Sequence, residues 1–542
     1  MFKNKITQAI LLGASLAVAA TSFSAVAAQV PAGTKLAKVQ EFVRGNGAEV
    51  ASLDPHKTEG NPESMIIRDL LEGLVNQDAE GNTIPGVATS WDTTDNKTFT
   101  FHLRKDAKWS NGDPVTAEDF VYSFKRAVDP ATASPYSWYL EMTNMVNAKE
   151  IIAGKADKET LGVKAIDAHT LEVKLTTAVP YFVMMMGHTT MKPVHKATVE
   201  KYGAKWTKPE NFVGNGAFVV NKWVVNERIE LVPNKNYWDN DHTVLTKVTY
   251  LPIESQVAEM NRFLAGEIDM TMELPNEHFK RLEKEHPESI SKPGNLCSYY
   301  YGFNNAKPPF DDVRVRKALS YAIDRDVITK FLLGQGQKPA YFLTPEIVAG
   351  FNPELPAYGK ITQKERVKQA KALLAEAGFN DSHPLKFTLL YNTSDNHKKL
   401  AAAIQSMWKK SLGVDVELEN QEWKTYLETR RQGDYDVTRA GWCGDYNEAS
   451  SFLSLMQSNN ASNDPQYHSA AYDAVMNKAL FSTSEAERNA LYAEAEALLA
   501  KDMPIAPIYQ YVRARLVNPH VGGFPKNNAE DKIFSKDLYI TE

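Results

Sequence analysis

The chain has 542 residues, of which 43% are hydrophobic and 24% charged, and its formal net charge is −6. This composition is that of an ordinary globular protein, and the length is enough for two or three domains. The acidic balance argues against nucleic acid as a partner, because nucleic-acid binding needs a clustered basic excess.

The first 27 residues have the pattern of a secretory signal peptide. Lys3 and Lys5 precede an apolar run from about Ala9 to Ala20, and Ala25–Ala27 provides an A-x-A cleavage site. The run is too short and too rich in alanine for a comfortable membrane span, and no other segment is long and apolar enough. No cysteine follows the cleavage site to carry a lipid anchor. We therefore predict an exported, soluble chain that begins at Ala28.

Export affects the interpretation of the two cysteines, Cys297 and Cys443. In an oxidising compartment the simplest prediction is one disulfide between them. It would close a loop of 146 residues (443 − 297), for which the chain-entropy model gives about 5 kcal/mol as an upper figure. A zinc site is the alternative, but the other ligands that zinc needs are missing.

Apolar periodicity predicts alternating strands and helices, an α/β class with antiparallel insertions. Thr98–Leu103 and His169–Leu175 alternate apolar and polar residues, as half-buried strands do. Between them Thr116 is a candidate helix N-cap, with Asp119 three residues further on. Residues 217–234 predict a β-hairpin.

The most regular region runs from Leu385 to Ala440 and predicts a strand–helix–strand–helix–strand order. Its segments are KFTLLY, NHKKLAAAIQSMWKKSLG, VDVELEN, EWKTYLETRRQG and YDVTRAGW. Such a βαβαβ unit should have right-handed crossovers and a parallel sheet. Ligands of such sheets lie outside the carboxyl ends of the strands.

Polar and aromatic residues follow these strands, so we expect them to gather at one edge of the sheet. They are His397, Trp423, Arg430, Arg439, Trp442 and Asp445. Trp423, Leu427 and Arg430 also share one helical face, because they are four and seven residues apart. The alternative is that these are ordinary surface charges and core tryptophans.

The sequence resembles the periplasmic oligopeptide-binding proteins of ABC importers over its whole length. Long motifs occur in the same order, namely SLDPHKTEG, RDLLEGLV, TFHLRKDAKWSNGDPVTAEDFVYSFKRAVDP, TASPYSWYL, PPFDDVRVRKALSYAIDRD, LLYNTSDNHKKLA, NQEWKTYL and RAGWCGDYNE. The murein-tripeptide-binding branch is also similar. The cysteine pair points to the general peptide binders.

The resemblance implies the periplasmic solute-binding protein fold, with two main lobes joined by a hinge and an extra inserted domain. The implied divisions are domain I at 28–71, 196–296 and 513–542, domain II at 72–195, and domain III at 297–512. A short oligopeptide would lie extended between domains I and III and pass to an inner-membrane ABC permease with its ATPase subunits. The family resemblance implies a periplasmic monomer with no enzymatic activity, cofactor or metal.

The resemblance also assigns roles to individual residues. Asp445 matches the position that holds the peptide α-amino group. Arg439, His397 and Arg430 match positions that meet the C-terminal carboxylate, and peptide length decides which of them does so. Positions that line pockets, contact the peptide backbone or form the disulfide are matched by Glu59, Asn61, Tyr136, Tyr300, Trp423, Leu427, Gly441, Trp442, Cys297 and Cys443.

The sequence departs from the family pattern at several positions. Leu333 is the apparent counterpart of a lysine that meets the carboxylate of longer peptides. Met272 and Glu273 replace a pair of asparagines, Asn295 replaces a tyrosine, and Gly302 replaces an acidic residue. These changes leave peptide length and side-chain preference open.

Other functions remain possible on the same fold, namely binding of a dipeptide, a murein tripeptide or haem. A periplasmic chaperone is a further alternative, because open lobes can hold unfolded chains. A secreted hydrolase lacks support, because the sequence has neither a G-x-S-x-G elbow nor an H-E-x-x-H zinc helix. His278 and His286, eight residues apart, fit solvated positions on a charged helix.

Overall fold

The computed structural model describes residues 30–542, so the predicted signal peptide lies outside the described residues. Within this range no helix combines the length and the apolar character needed to cross a membrane. For description we keep the predicted division and name its parts lobe I (30–71, 196–296 and 513–542), lobe II (72–195) and lobe III (297–512).

The strands and helices alternate along the described chain. The strands are β1 Glu41–Gly45, β2 Val75–Gln77, β3 Thr83–Pro85, β4 Ala88–Asp92, β5 Thr98–Leu103, β6 Val163–Asp167, β7 Thr170–Lys174, β8 Phe218–Val224, β9 Arg228–Pro233, β10 Lys247–Leu251, β11 Ile290–Ser291, β12 Gly294–Phe303, β13 Lys338–Pro339, β14 Lys386–Asn392, β15 Asp415–Gln421, β16 Val437–Cys443, β17 Ile505–Val512, β18 Arg515–Leu516, β19 Val521–Gly522 and β20 Tyr539–Ile540. The helices are α1 Asn61–Leu70, α2 Ala117–Val128, α3 Ser137–Met142, α4 Ala148–Ile152, α5 Phe182–Met185, α6 Lys196–Tyr202, α7 Gln256–Leu264, α8 Asn276–Glu285, α9 Val313–Ala322, α10 Arg325–Val327, α11 Gln363–Glu376, α12 Asp395–Leu412, α13 Trp423–Gln432, α14 Ser450–Leu453, α15 Ala470–Phe481 and α16 Glu485–Asp502. A π-helical turn, Ile328–Leu333, follows α10.

Each lobe is organised around its own sheet. Lobe I has the order β1-β10-β9-β8, lobe II the antiparallel order β4-β5-β7-β6, and lobe III the order β13-β17-β12-β16-β14-β15. The chain enters lobe III along β12 and leaves it along β17, and these two strands pair antiparallel with each other. The α/β class that the sequence predicts is confirmed.

Several local predictions are confirmed because short-range signals determine them. The strand at Thr98–Leu103 has the predicted bounds, and β8 and β9 form the predicted hairpin. Thr116 caps α2 in a capping box, its backbone N–H donating to Asp119 Oδ2 at 2.7 Å. Helix α12 ends at Gly413, whose φ of 71° lies in the left-handed region that favours glycine.

The predicted βαβαβ unit is present as β14-α12-β15-α13-β16, and β14 is parallel to both β15 and β16. The sheet as a whole is mixed, because β12 runs antiparallel to β16. Trp408 on α12 is fully buried between this sheet and α9, and its indole N–H donates to the Leu319 carbonyl at 2.9 Å. This core fixes the carboxyl ends of the three parallel strands relative to each other.

Lobes I and III are in direct contact in this structure. The Asp395 carboxylate, at the start of α12, accepts from the Ser255 hydroxyl and the Gln256 backbone N–H, both at 3.1 Å. Asn276 donates to Asn396 at 2.7 Å nearby. These contacts join the start of α7 and α8 to the start of α12, so the two lobes are closed upon each other.

Candidate functional site

A cavity of about 730 Å³ lies where the three lobes meet. Lobe I contributes the segment before and into α1, lobe II the loops around residues 133–136 and 187–189, and lobe III the carboxyl ends of β14 and β16. The cavity therefore lies at the predicted edge of the parallel strands. The predicted site residues that line it are Glu59, Asn61, Tyr136, His397, Trp423, Leu427, Arg430, Arg439, Gly441, Trp442 and Asp445. Tyr300 is instead 4% exposed and packs in the apolar core.

The Asp445 carboxylate is buried and faces lobe II. The Tyr136 hydroxyl donates to Asp445 Oδ1 at 3.2 Å, and His188 Nε2 lies 3.2 Å from the same oxygen. His188 Nδ1 accepts from the Thr190 backbone N–H at 3.2 Å, so a neutral His188 carries its proton on Nε2 and donates to Asp445. Burial, with the nearby Asp445, raises the pKa of Tyr136 well above its usual value, so the phenol remains a donor.

The backbone of Asp445 is fixed as well. Its N–H donates to the Ser451 hydroxyl at 2.7 Å, and its carbonyl accepts from Lys532 Nζ at 3.2 Å. Lys532 belongs to lobe I, so all three lobes contact this one residue. Glu448, three residues further along, is paired with Arg488 at 2.8 Å, so its carboxylate is not available to replace that of Asp445.

Arg439 is a buried cation that has no acidic partner in the part of the chain that the structure describes. Its Nη2 donates to the Tyr511 hydroxyl at 2.7 Å and its Nη1 to Asn392 Oδ1 at 3.3 Å, while Nε has no hydrogen-bond partner among the described residues. The guanidinium carbon lies 4.8 Å from the centre of the Tyr299 ring. A Cβ at Gly441 would lie 3.1 Å from Arg439 Nη2, so glycine leaves room for this guanidinium. The side chain is thus held by neutral groups, and its positive charge is uncompensated.

His397 lies beside Arg439 and is uncharged at neutral pH. Burial, followed by the positive charge of Arg439, holds the pKa of its imidazole well below the usual 6.5. A neutral imidazole still offers one N–H donor to a ligand, but it adds no positive charge.

The two arginines that α13 contributes to the cavity wall are already paired. Arg430 forms an ion pair with Asp464, and both side chains are 14% exposed. Arg431 pairs with Glu59 of lobe I at 2.7 Å, across the gap between the lobes. Burial raises the pKa of Glu59, and the charge of Arg431 opposes that rise. Arg431 also pairs with Glu428 on the same helix at 2.7 Å, so both arginines of α13 have acidic partners.

Aromatic rings form part of the remaining wall. Trp442 is parallel to Tyr136, with ring centres 6.1 Å apart and planes 4° apart, and its indole N–H donates to the Ser451 carbonyl at 2.8 Å. Trp423 packs against Gly60, where a Cβ would lie 3.0 Å from the indole.

The predicted disulfide is confirmed between Cys297 on β12 and Cys443 on β16. The two residues are directly opposite each other in the antiparallel pair, with Cα atoms 4.0 Å apart. Asn61 Nδ2 contacts Cys443 Sγ at 3.4 Å. Because Cys443 is two residues before Asp445, the bridge fixes the strand end that carries this carboxylate.

Two of the positions that depart from the family pattern are not at the cavity. Leu333 is 4% exposed and packs in the apolar core of lobe III, so it does not face a ligand. Gly302 lies within β12, outside the lining. Met272, Glu273 and Asn295 do line the cavity, and Glu273 is paired with Arg513 at 2.9 Å.

Sequence reasoning missed several residues of the site, namely Asn392, Asp464, Tyr511, Lys532 and His188. Each reaches the cavity from a segment distant in the chain, such as His188 from lobe II and Lys532 from lobe I. No local pattern marks them. Only Asn392, the last residue of β14, carries a signal, because the carboxyl ends of parallel strands were expected to form the site.

The sequence has clear relatives. A model of the bacterial extracellular solute-binding proteins, family 5 Middle, matches residues 82–464. The chain is 52% identical over 541 residues to the periplasmic oligopeptide-binding protein OppA of Escherichia coli, covering 99% of this chain and 100% of that one. It is 50% identical over 528 residues to the periplasmic murein peptide-binding protein MppA of Escherichia coli, covering 97% and 98%.

Solved structures of such proteins have the same fold. The structure of the Escherichia coli murein tripeptide binding protein MppA matches with a TM-score of 0.93 at 50% identity, covering 94% of this chain and 100% of that one. Haemophilus influenzae OppA in complex with RPPGFSPFR matches with a TM-score of 0.92 at 47% identity and the same coverage. The unliganded open form of MppA matches with a TM-score of only 0.67, covering 94% and 99%. The lower score against the open form agrees with the contacts that close the lobes here.

Proposed function

Because the chain belongs to the bacterial extracellular solute-binding proteins, family 5, we propose that it captures short peptides in the periplasm and delivers them to an ABC importer. One observation carries the proposal: one cavity is lined both by a buried carboxylate, Asp445, and by a buried arginine, Arg439, that has no acidic partner among the described residues. A peptide has an ammonium at one end and a carboxylate at the other, so its charges complement this pair.

The spacing of the two groups suits a short extended peptide. Arg439 precedes Cys443 by four strand residues, which at about 3.3 Å per residue is roughly 13 Å, and Asp445 is two residues beyond Cys443. Three extended residues cover about 10 Å, and a hydrogen bond of about 3 Å at each end brings the span to roughly 16 Å. We therefore propose a tripeptide with its ammonium at Asp445 and its carboxylate at Arg439.

The sheet also offers a free edge for the peptide backbone. β16 pairs with β12 as far as Cys443, but its contact with β14 ends at Thr438. Residues 440–443 have no partner strand on that side among the described residues. An extended peptide can add there by β-augmentation, which uses backbone groups that every peptide has.

Low side-chain selectivity follows from the walls. The rings of Trp423 and Trp442 are wide apolar surfaces, and Arg430 and Arg431 are neutralised by their own partners. Side chains placed in such a space meet water or aromatic rings, and either can be accepted. We therefore propose that the protein recognises the two termini and the backbone of a peptide, and not its side chains.

Membership of the family also supports an assignment of cellular location, oligomeric state and transport partners. We assign export by a cleaved signal peptide, a periplasmic location, action as a monomer, and an inner-membrane permease with its ATPase subunits as partner. The three sheets support three domains with the divisions used above, and the two crossings at β12 and β17 form the hinge. We assign no catalytic step to the protein.

A murein tripeptide is the second candidate ligand, favoured by the TM-score of 0.93 to the murein tripeptide binding protein. Native mass spectrometry of the purified protein, followed by denaturation and sequencing of what is released, separates the candidates. A mixture of short peptides supports the proposal. A single species containing diaminopimelate selects murein peptide, and a bound haem or no peptide at all contradicts the proposal.

A further inference from the structure

The buried arginines that face the cavity differ in whether an acid holds them. Arg439 is held only by the hydroxyl of Tyr511 and the amide of Asn392. Arg430 is held by the Asp464 carboxylate. A second anion that approaches Arg430 must compete with Asp464 and is repelled by it, because like charges in a cavity of low polarity interact strongly.

The loop that carries Asp464 is itself fixed. Its backbone carbonyl accepts from the Tyr435 hydroxyl at 2.5 Å. The next carbonyl, that of Pro465, accepts from the Asn305 backbone N–H and from Asn305 Nδ2, both at 2.9 Å. The segment after β12 and the segment before β16 therefore hold the backbone at and beside Asp464, and its side chain is 14% exposed.

The electrostatic environment agrees with this pairing. Burial by itself lowers the pKa of Arg430, and the nearby Asp464 carboxylate reverses this and raises it well above the usual value. The neighbouring Arg431 is paired with both Glu59 and Glu428. An incoming carboxylate therefore meets no net positive charge from the two arginines of α13, in contrast to Arg439.

We propose that Asp464 is a specificity-determining residue that selects peptide length by occupying Arg430. This rests on the proposed function, in which the peptide carboxylate needs a free cation. Among the lobe III arginines that line the cavity, Arg439 is then the one without an acid, so the carboxylate site on this lobe favours the length that spans from Asp445 to Arg439. A peptide whose carboxylate would lie at Arg430 binds weakly, because the Asp464 carboxylate already pairs with this arginine and repels the incoming carboxylate.

Calorimetry with Ala-Ala, Ala-Ala-Ala, Ala-Ala-Ala-Ala and Ala-Ala-Ala-Ala-Ala tests this on the full exported chain. In the wild type one length should bind at least about tenfold more tightly than the others, a difference of about 1.4 kcal/mol. Asp464→Asn frees Arg430. It should therefore increase the affinity by about tenfold for one additional peptide length, namely the length that places its carboxylate at Arg430. Asp464→Glu, which keeps the carboxylate, should retain the wild-type profile.

Two more variants make the test specific. The gain of Asp464→Asn should be absent in the double variant Asp464→Asn, Arg430→Met, because the new site is Arg430. Asp326→Asn, which removes one acid from an exposed pair with Lys330 on lobe III, should leave the profile unchanged. A gain that survives without Arg430, or that also appears in Asp326→Asn, overturns the proposal.

The wild-type profile alone is decisive if Asp464→Asn fails to fold. Equal affinity for all four lengths means that nothing selects length, and the proposal is then wrong. If no alanine peptide binds the wild type at all, the proposed function itself fails, which is a different outcome.

Discussion

The Tyr136 hydroxyl of lobe II donates to the Asp445 carboxylate of lobe III at 3.2 Å. The same aspartate receives Lys532 of lobe I on its backbone carbonyl. All three lobes thus converge on the residue whose carboxylate we assign to the peptide ammonium. A ligand held at this point stabilises the closed arrangement, because it adds attraction where the lobes already meet.

Asp445→Ala should be the single substitution that weakens binding of Ala-Ala-Ala most. An ammonium brought into a closed cleft loses its hydration, and only a paired carboxylate offsets that loss. Removing one partner of such a pair costs about 2–5 kcal/mol, roughly 30- to 5,000-fold in Kd. Calorimetry should give a smaller loss for Arg439→Ala, because Tyr511, Asn392 and His397 still offer polar groups to the carboxylate. A larger loss of affinity for Arg439→Ala than for Asp445→Ala would contradict the prediction, because Arg439 and not Asp445 would then contribute most to binding.

The disulfide should contribute stability and no redox chemistry. The pair Cys297→Ser, Cys443→Ser should fold and bind Ala-Ala-Ala, because β12 and β16 stay paired as far as Phe303 and Val437, and the Gly444 N–H donates to the Leu296 carbonyl beyond the bridge. Its melting temperature should be lower, with a loss of at most about 5 kcal/mol in the free energy of unfolding. Loss of all binding at a temperature where the variant is still folded, judged by circular dichroism, contradicts this role.

Glu496 should make stability depend on pH. Burial raises the pKa of its carboxyl from 4.5 to about 7, so the folded protein holds a proton there that the unfolded chain releases. Its contribution to stability is present below pH 4.5 and is lost as the pH rises through about 7. Urea unfolding measures the free energy of unfolding of both proteins. The value for Glu496→Gln relative to that of the wild type should rise by up to about 3 kcal/mol between about pH 4.5 and 7.5.

The control for that experiment is Glu494→Gln on the same helix, where the side chain is exposed. It should show a much smaller change over the same pH range. A difference between Glu496→Gln and wild type that stays constant with pH would mean that Glu496 does not hold the proton in the folded state.

Ligand should close the lobes in solution. The structure agrees poorly with the unliganded open form of MppA and well with the other MppA structure, at TM-scores of 0.67 and 0.93. Small-angle scattering should therefore show a smaller radius of gyration for the protein with Ala-Ala-Ala than without ligand. At the same peptide concentration Asp445→Ala should keep the larger radius of gyration of the ligand-free protein. Identical radii for free and liganded wild type argue against hinge closure.

The sequence predicted those features that local patterns determine. The capping box of Thr116, the stop at Gly413 and the alternation of β5 each depend on a few adjacent residues. The placement of His397, Trp423, Arg439 and Asp445 at one edge also followed from the chain, because parallel strands end on the same side.

The partners of these residues could not be predicted in the same way. Asp464 meets Arg430 from a loop 34 residues later, and His188 meets Asp445 from another lobe. Such contacts depend on tertiary packing and leave no spacing signal. Leu333 is the clearest example, since a position matched to a ligand contact proves to pack in the apolar core.

The most direct test of the account is the affinity of the wild-type protein for Ala-Ala-Ala and for N-acetyl-Ala-Ala-Ala, measured by calorimetry under identical conditions. The two ligands differ only in the ammonium, so the comparison isolates the role of Asp445 without changing the protein. The account predicts that acetylation weakens binding by about 30-fold or more, the lower end of the cost of an unpaired buried charge. Equal affinity for the free and the acetylated peptide would show that Asp445 does not hold a peptide amino group.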